Sequence, residues 1–206
     1  MSINLLEFSA LALAHFVALL SPGPDFFLIV GYSVRYGSRP TCWACGGIAS
    51  ANGVYILLAL LGFSLLRENQ FVFQLMKWLG AGYLLYIGSL LIRATQQEFV
   101  AHQPKASNQA LSRRQLFLHG FLSAILNPKN MIFYLSLMTL IVSPQTNLEV
   151  QTVYGLWMFT IVLLWDFLIA WCIGNGRVRT ALNRYSHRIE KTSGALLMLM
   201  GIFVLV

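Results

Sequence analysis

Along this chain the charged side chains do not scatter; they collect between long apolar stretches. Thr41 to Leu66 carries no charge at all, and that run exceeds the roughly 20 residues a helix needs to cross a hydrocarbon core about 30 Å thick. Four further windows hold a single charge each: 8–34 with Asp25, 71–92 with Lys77, 116–142 with Lys129, and 150–173 with Asp166. A last uncharged run, Ser193 to Val206, is short. It spans if its helix begins near Ile189, with Lys191 snorkelling to the interface. The first window lacks a positive leading region, carries Glu7 instead, and runs on into Pro22, Pro24 and Asp25, so it is expected to be a helix of the mature protein rather than a signal peptide. The pattern predicts an all-α integral membrane protein with six transmembrane helices.

Two of the windows are interrupted. Ser21-Pro22-Gly23-Pro24-Asp25 breaks the first, and Asn127-Pro128-Lys129-Asn130 breaks the fourth. Ser or Asn followed by Pro is a helix-start signal, in which the side chain caps free amides and Pro takes the first helical position. Each window is therefore predicted as two half-helices joined near the middle of the membrane. The polar stretch from Arg93 to Arg114 divides the chain into two groups of three helices: repeat one over about 1–92, a cytoplasmic linker over 93–115, and repeat two over about 116–206, all in one transmembrane domain. With three helices per half, the second half enters from the opposite face, and such inverted repeats are common in secondary transporters. Two registers relate the halves: Ser21-Pro22 with Asn127-Pro128, or Pro24 with Pro128 and Asp25 with Lys129.

Composition sharpens the picture: 57% of the 206 residues are hydrophobic and 10% charged, against about 25% charged in an ordinary soluble domain. Short loops rich in Lys and Arg stay in the cytoplasm. Arg35, Arg39, Arg93, Lys105, Arg113, Arg114, Arg177, Arg179, Arg184, Arg188 and Lys191 follow helices one, three and five, whereas Arg67 and Lys77 lie on the other side. Both termini should then face away from the cytoplasm. The net charge of +7 is accounted for by topology and anionic lipid, with no soluble basic domain to bind nucleic acid. Val178, Leu182, Tyr185 and Ile189 share one helical face, as in a helix lying on the membrane surface.

Charges far from an interface are the candidate chemistry. Asp25, Lys129 and Asp166 each cost about 2.5–3.5 kcal/mol near a helix centre, so something must offset them. An ion pair between Lys129 and one aspartate would do so. Two acids with one base leave one acid unpaired, and burial favours the protonated form that a proton carrier needs. Half-helix N-termini suit a carboxylate ligand. The expected binding residues are therefore Ser21, Pro22, Gly23, Pro24, Asp25, Asn52, Asn127, Pro128, Lys129 and Asn130, with Asp25, Asp166 and His15 as candidates for proton coupling. For His15 a hydrogen-bonded packing role is the favoured reading. Asn52 lies among small residues, Gly46 to Gly53, that let a neighbouring helix approach. Cys42 and Cys45 have the spacing of a redox or metal pair, which keeps a thiol-redox conduit open as an alternative, next to a structural anchor without transport. No metal-ligand set, phosphate loop or Ser/His/Asp arrangement stands in the loops, so neither an enzyme nor a cofactor is expected.

The run from His15 to Phe27, with Ser21-Pro22-Gly23-Pro24-Asp25 at its centre, resembles the signature of the lysine exporter superfamily, and more narrowly its homoserine/threonine resistance branch. Asn127-Pro128-Lys129 is similar to the family's second element, and Asp166 falls at its acidic position in helix five. The resemblance covers essentially the whole chain. It implies export of a small amino acid, threonine or homoserine favoured, from the bacterial cytoplasm across the inner membrane by proton antiport, and the orientation read from the basic loops then makes both termini periplasmic. A homodimer is compatible with so few helices around one site. Cys42 and Cys45 are not part of the family pattern.

Overall fold

The computed structural model describes residues 4–21, 23–66, 70–93, 111–173, 188, 191–199 and 201–203, and every regular element among them is helical. Pro22, most of the linker and most of the expected surface helix lie outside the described residues.

Helix α1 (Leu5–Leu20) starts where the Asn4 side chain accepts from the amides of Leu6 and Glu7, at 3.1 and 3.3 Å. It ends at Ser21, whose backbone turns extended. Helix α2 (Pro24–Tyr36) then runs off at 54° and is stopped by Gly37. That residue has φ +83°, a left-handed conformation in which glycine is not strained, and it donates to Ser33 O before α3 (Ser38–Leu66) begins. Helix α4 (Gln70–Arg93) completes the first half. In the second half, α5 (Arg113–Ile125) opens with a capping box between Ser112 and Gln115. It breaks by 58° into α6 (Pro128–Ile141), which leads to α7 (Leu148–Ile173). A short apolar helix follows over Lys191–Phe203.

The described residues of each apolar window thus lie mainly on helix. Two continuous stretches, Ser38–Gly62 and Leu148–Ile173, are long and apolar enough to cross a membrane; counting each bent pair as one span brings the total to four among the described residues, against the six expected. Large apolar side chains lie on the surface as well as in the core. Leu57, Leu58, Leu61, Leu156, Leu164 and Trp171 are exposed, while His15, Asn52, Thr139, Gln151 and Asp166 are buried. A surface of this kind suits acyl chains.

Pro24 and Pro128 each occupy a first helical position, with Gly23 and Asn127 as the respective N-caps, and Asp25 and Lys129 follow at the second position of their helices. Ser21 does not start a half-helix, as its Ser-Pro sequence suggested. It closes α1, because the second proline is the one that fits the first turn of α2.

Helix α3 packs most extensively on α5, and small residues are the reason. A Cβ on Gly47 would stand 2.0 Å from the carbonyl oxygen of Phe117, and one on Gly120 would stand 2.1 Å from that of Ala44. The two backbones therefore touch at a spot where no larger residue fits.

Candidate functional site

Both breaks open onto one cavity of about 80 Å³, lined among others by His15, Ser21, Gly23, Asp25, Asn52, Asn127, Lys129, Asn130 and Asp166. At about 10–15 Å³ per water in the same measure, it has room for several waters or one small polar molecule. All three deep charges point into this chamber rather than at lipid, which meets the requirement that buried charge find polar company. Of the other residues expected there, Pro24 is exposed at the start of α2, and Pro128 is described only as part of the α6 backbone.

Asp25, in the first turn of α2, is held by both oxygens. Oδ1 accepts from Ser123 Oγ at 2.6 Å and Oδ2 accepts from Asn130 Nδ2 at 3.1 Å. Its charge also lies at the positive end of the α2 dipole. Lys129 projects from the corresponding end of α6, where a positive charge is unfavourable. Its ammonium instead crosses to α1 and donates to Ser21 Oγ at 3.3 Å, at the C-terminal end of that helix, where the dipole favours a cation. No direct ion pair between Lys129 and either aspartate forms among the described residues; hydrogen-bond partners and two helix ends offset the charges of Asp25 and Lys129 in its place.

The two half-helix ends are not equivalent. Asn127 caps α6, its Oδ1 accepting from the Lys129 amide at 3.1 Å. Tyr55 donates to the carbonyl of Ile125, Tyr83 to that of Lys129 at 3.1 Å, and Asn130 to that of Ala124 at 3.4 Å. The backbone freed by the second break is thus satisfied within the protein, as a low-dielectric setting demands. The first turn of α2 has only Gly23 as its cap and no side-chain cap bond, so it is the end left open for an anion.

Asp166 is buried on α7, and its Oδ2 has no hydrogen-bond partner among the described residues. Its backbone carbonyl accepts from the Cys45 thiol at 3.5 Å. His15 departs from the hydrogen-bonded packing role considered above: it is fully buried, ringed by Phe133, Tyr134 and Trp157 with centroids 6.3, 5.9 and 5.6 Å away, and neither ring nitrogen has a partner among the described residues. Aromatic rings fill the space where a polar neighbour would have stood. An unsatisfied buried polar group costs about 1–3 kcal/mol, so Asp166 and His15 are expensive unless a ligand completes them. Asn52 donates to Ile48 O on its own helix at 3.0 Å while lining the same chamber.

Cys42 and Cys45 are free thiols that turn to different partners: Cys42 donates to Ser38 O at 3.4 Å, whereas Cys45 faces Asp166. Sequence reasoning missed Ser123, Tyr55 and Tyr83. Nothing in their apolar surroundings singles out one hydroxyl from another; only the knowledge that a broken helix needs donors would have prompted a search for them.

A charged, incompletely satisfied chamber between broken helices of an all-helical membrane protein defines a membrane transport protein. The chain belongs to the LysE type translocator family, whose model matches residues 16–206. It is 28% identical over 205 residues to the threonine efflux protein of Escherichia coli (strain K12), covering 98% of each chain. It is 28% identical over 204 residues to the threonine efflux protein of Salmonella typhimurium, covering 97% of each. A membrane protein of Bacillus subtilis whose name assigns it no activity is 26% identical over 191 residues, covering 89% of this chain and 91% of that one. No solved structure matches the chain.

Proposed function

We propose that this translocator exports a small amino acid, with threonine or homoserine favoured, from the bacterial cytoplasm across the inner membrane in exchange for a proton. One observation carries the reading: a cation, an uncapped helix N-terminus and an unpartnered carboxylate oxygen share a chamber the size of one small zwitterion. The substrate carboxylate sits between Lys129 and the Gly23 end of α2. Its ammonium goes to Asp166 or Asp25, and whichever acid the substrate does not hold carries the proton, with His15 beside that path. Asn52, Asn127 and Asn130 supply neutral polar contacts.

In the same reading the chain crosses the membrane six times as two inverted three-helix repeats, with both termini periplasmic and the basic loops against anionic lipid in the cytoplasm. A homodimer would shield its short last helix. The names of the efflux relatives support the substrate class, and the matched prolines at the two breaks support the repeat.

Efflux of labelled threonine from preloaded vesicles, with and without a pH gradient, tests the proposal. Wild-type efflux should accelerate when the gradient drives protons inward. Asp25→Asn, Asp166→Asn and Lys129→Met should each lower it at least about tenfold, the loss of one charge-assisted hydrogen bond. Unchanged rates in all three variants would remove the site from consideration.

A further inference from the structure

We infer that His15 is the residue that selects for a side-chain hydroxyl on the exported amino acid. The inference rests on the transport reading above and deepens it.

The chamber's polar groups differ in how much bonding capacity they have left. Asp25 is occupied on both oxygens by Ser123 and Asn130. Lys129 is tied to Ser21 by one of its three N–H bonds, which leaves two for a carboxylate. Asp166 Oδ2 is bare and acidic, so it suits an ammonium. Asn52, Asn127 and Asn130 already spend side-chain bonds on Ile48, the Lys129 amide, Asp25 and Ala124, whereas His15 has two unpartnered nitrogens between walls of Phe133, Tyr134 and Trp157. A neutral imidazole in an apolar cage matches a group that is small, uncharged and able both to donate and to accept. A hydroxyl meets that description; a methyl group does not.

His15, Lys129 and Asp166 line the same chamber of about 80 Å³, so one small ligand can meet all three at once. A site built to bond a hydroxyl rejects the isostere lacking it, because its own polar group is then left unpaired.

Threonine and valine differ by one hydroxyl for one methyl, and homoserine and norvaline by the same exchange, so paired efflux from vesicles loaded with each isolates this contact. Wild-type protein should prefer the hydroxylated member of a pair by about tenfold or more. His15→Phe, at matched abundance in the vesicles, should bring that ratio within about twofold of unity because threonine efflux falls more than valine efflux, and His15→Gln, which keeps a donor and an acceptor, should retain most of it. Should wild type export amino acids with no preference, or His15→Phe keep the ratio, the hydroxyl assignment is wrong while the exporter reading stands. Equal losses for both members of a pair would overturn it too, since a packing or proton-path role acts on every substrate alike. Absence of any amino-acid efflux from wild type would instead sink the transport reading and this inference with it.

Discussion

Asp25 and Asp166 occupy the same chamber, but their surroundings divide the work between them. Donors from α5 and α6 fix Asp25 in place, so it ties the two breaks together, whereas Asp166 offers an unpartnered oxygen. Ser123→Ala removes one donor and should lower efflux by a few-fold, about 1 kcal/mol, whereas Asp166→Asn should all but abolish it; rates from loaded vesicles discriminate the two. Glu7 makes a different case. It accepts from the Ser143 amide at 3.1 Å and from the Thr146 hydroxyl at 3.0 Å, fastening the start of α1 to the turn between α6 and α7. Glu7→Ala should destabilise the protein by about 1–3 kcal/mol, seen as a lower melting temperature in detergent. Asp25, Lys129 and Asp166 were legible in the sequence because a charge deep in an apolar run needs explaining. Glu7, Ser123, Tyr55 and Tyr83 were not, since one polar residue on a helix that is apolar all round has no periodic face to reveal where it points.

At the scale of helices, Ser-Pro and Asn-Pro announced the two breaks, yet the first turn of α2 lay two residues later than Ser21 suggested. Two prolines stand in that segment; capping preference pointed to the one behind Ser21, and the one behind Gly23 is the one that opens α2. Asn127→Ala should cost about 1 kcal/mol as a lost cap, read from thermal unfolding. The α3–α5 crossing makes a sharper demand. Gly47→Ala places a methyl group 2.0 Å from a carbonyl oxygen and should sharply reduce folded protein in the membrane. Gly82→Ala on α4, where a Cβ meets nothing within 4 Å, should be neutral or gain about 0.5–1 kcal/mol from helix propensity. Small residues at Gly46 to Gly53 hinted at such a contact; which helix would fill it was beyond sequence periodicity, because the partner lies across the linker.

For the molecule as a whole, the sequence pattern was enough to specify an all-helical membrane protein, because unbroken apolar runs of about 20 residues suit a spanning helix, whereas a barrel strand takes about 10 and alternates. The orientation proposed from the basic loops puts Ser112 in the cytoplasm and Gln145 outside. In a background with Cys42, Cys45 and Cys172 replaced by alanine, Gln145→Cys should react with a membrane-impermeant thiol reagent on intact cells, and Ser112→Cys only after permeabilisation. The same background also bears on the redox alternative: a thiol conduit would be inactive there, an amino-acid exporter would not.

One consequence concerns motion. Because α3 from the first half and α5 from the second meet main chain to main chain, no hinge line can run between them without prying apart atoms that have nothing softer to put in their place. The exchange proposed above, in which the chamber would open to one face and then the other, would have to leave this seam shut.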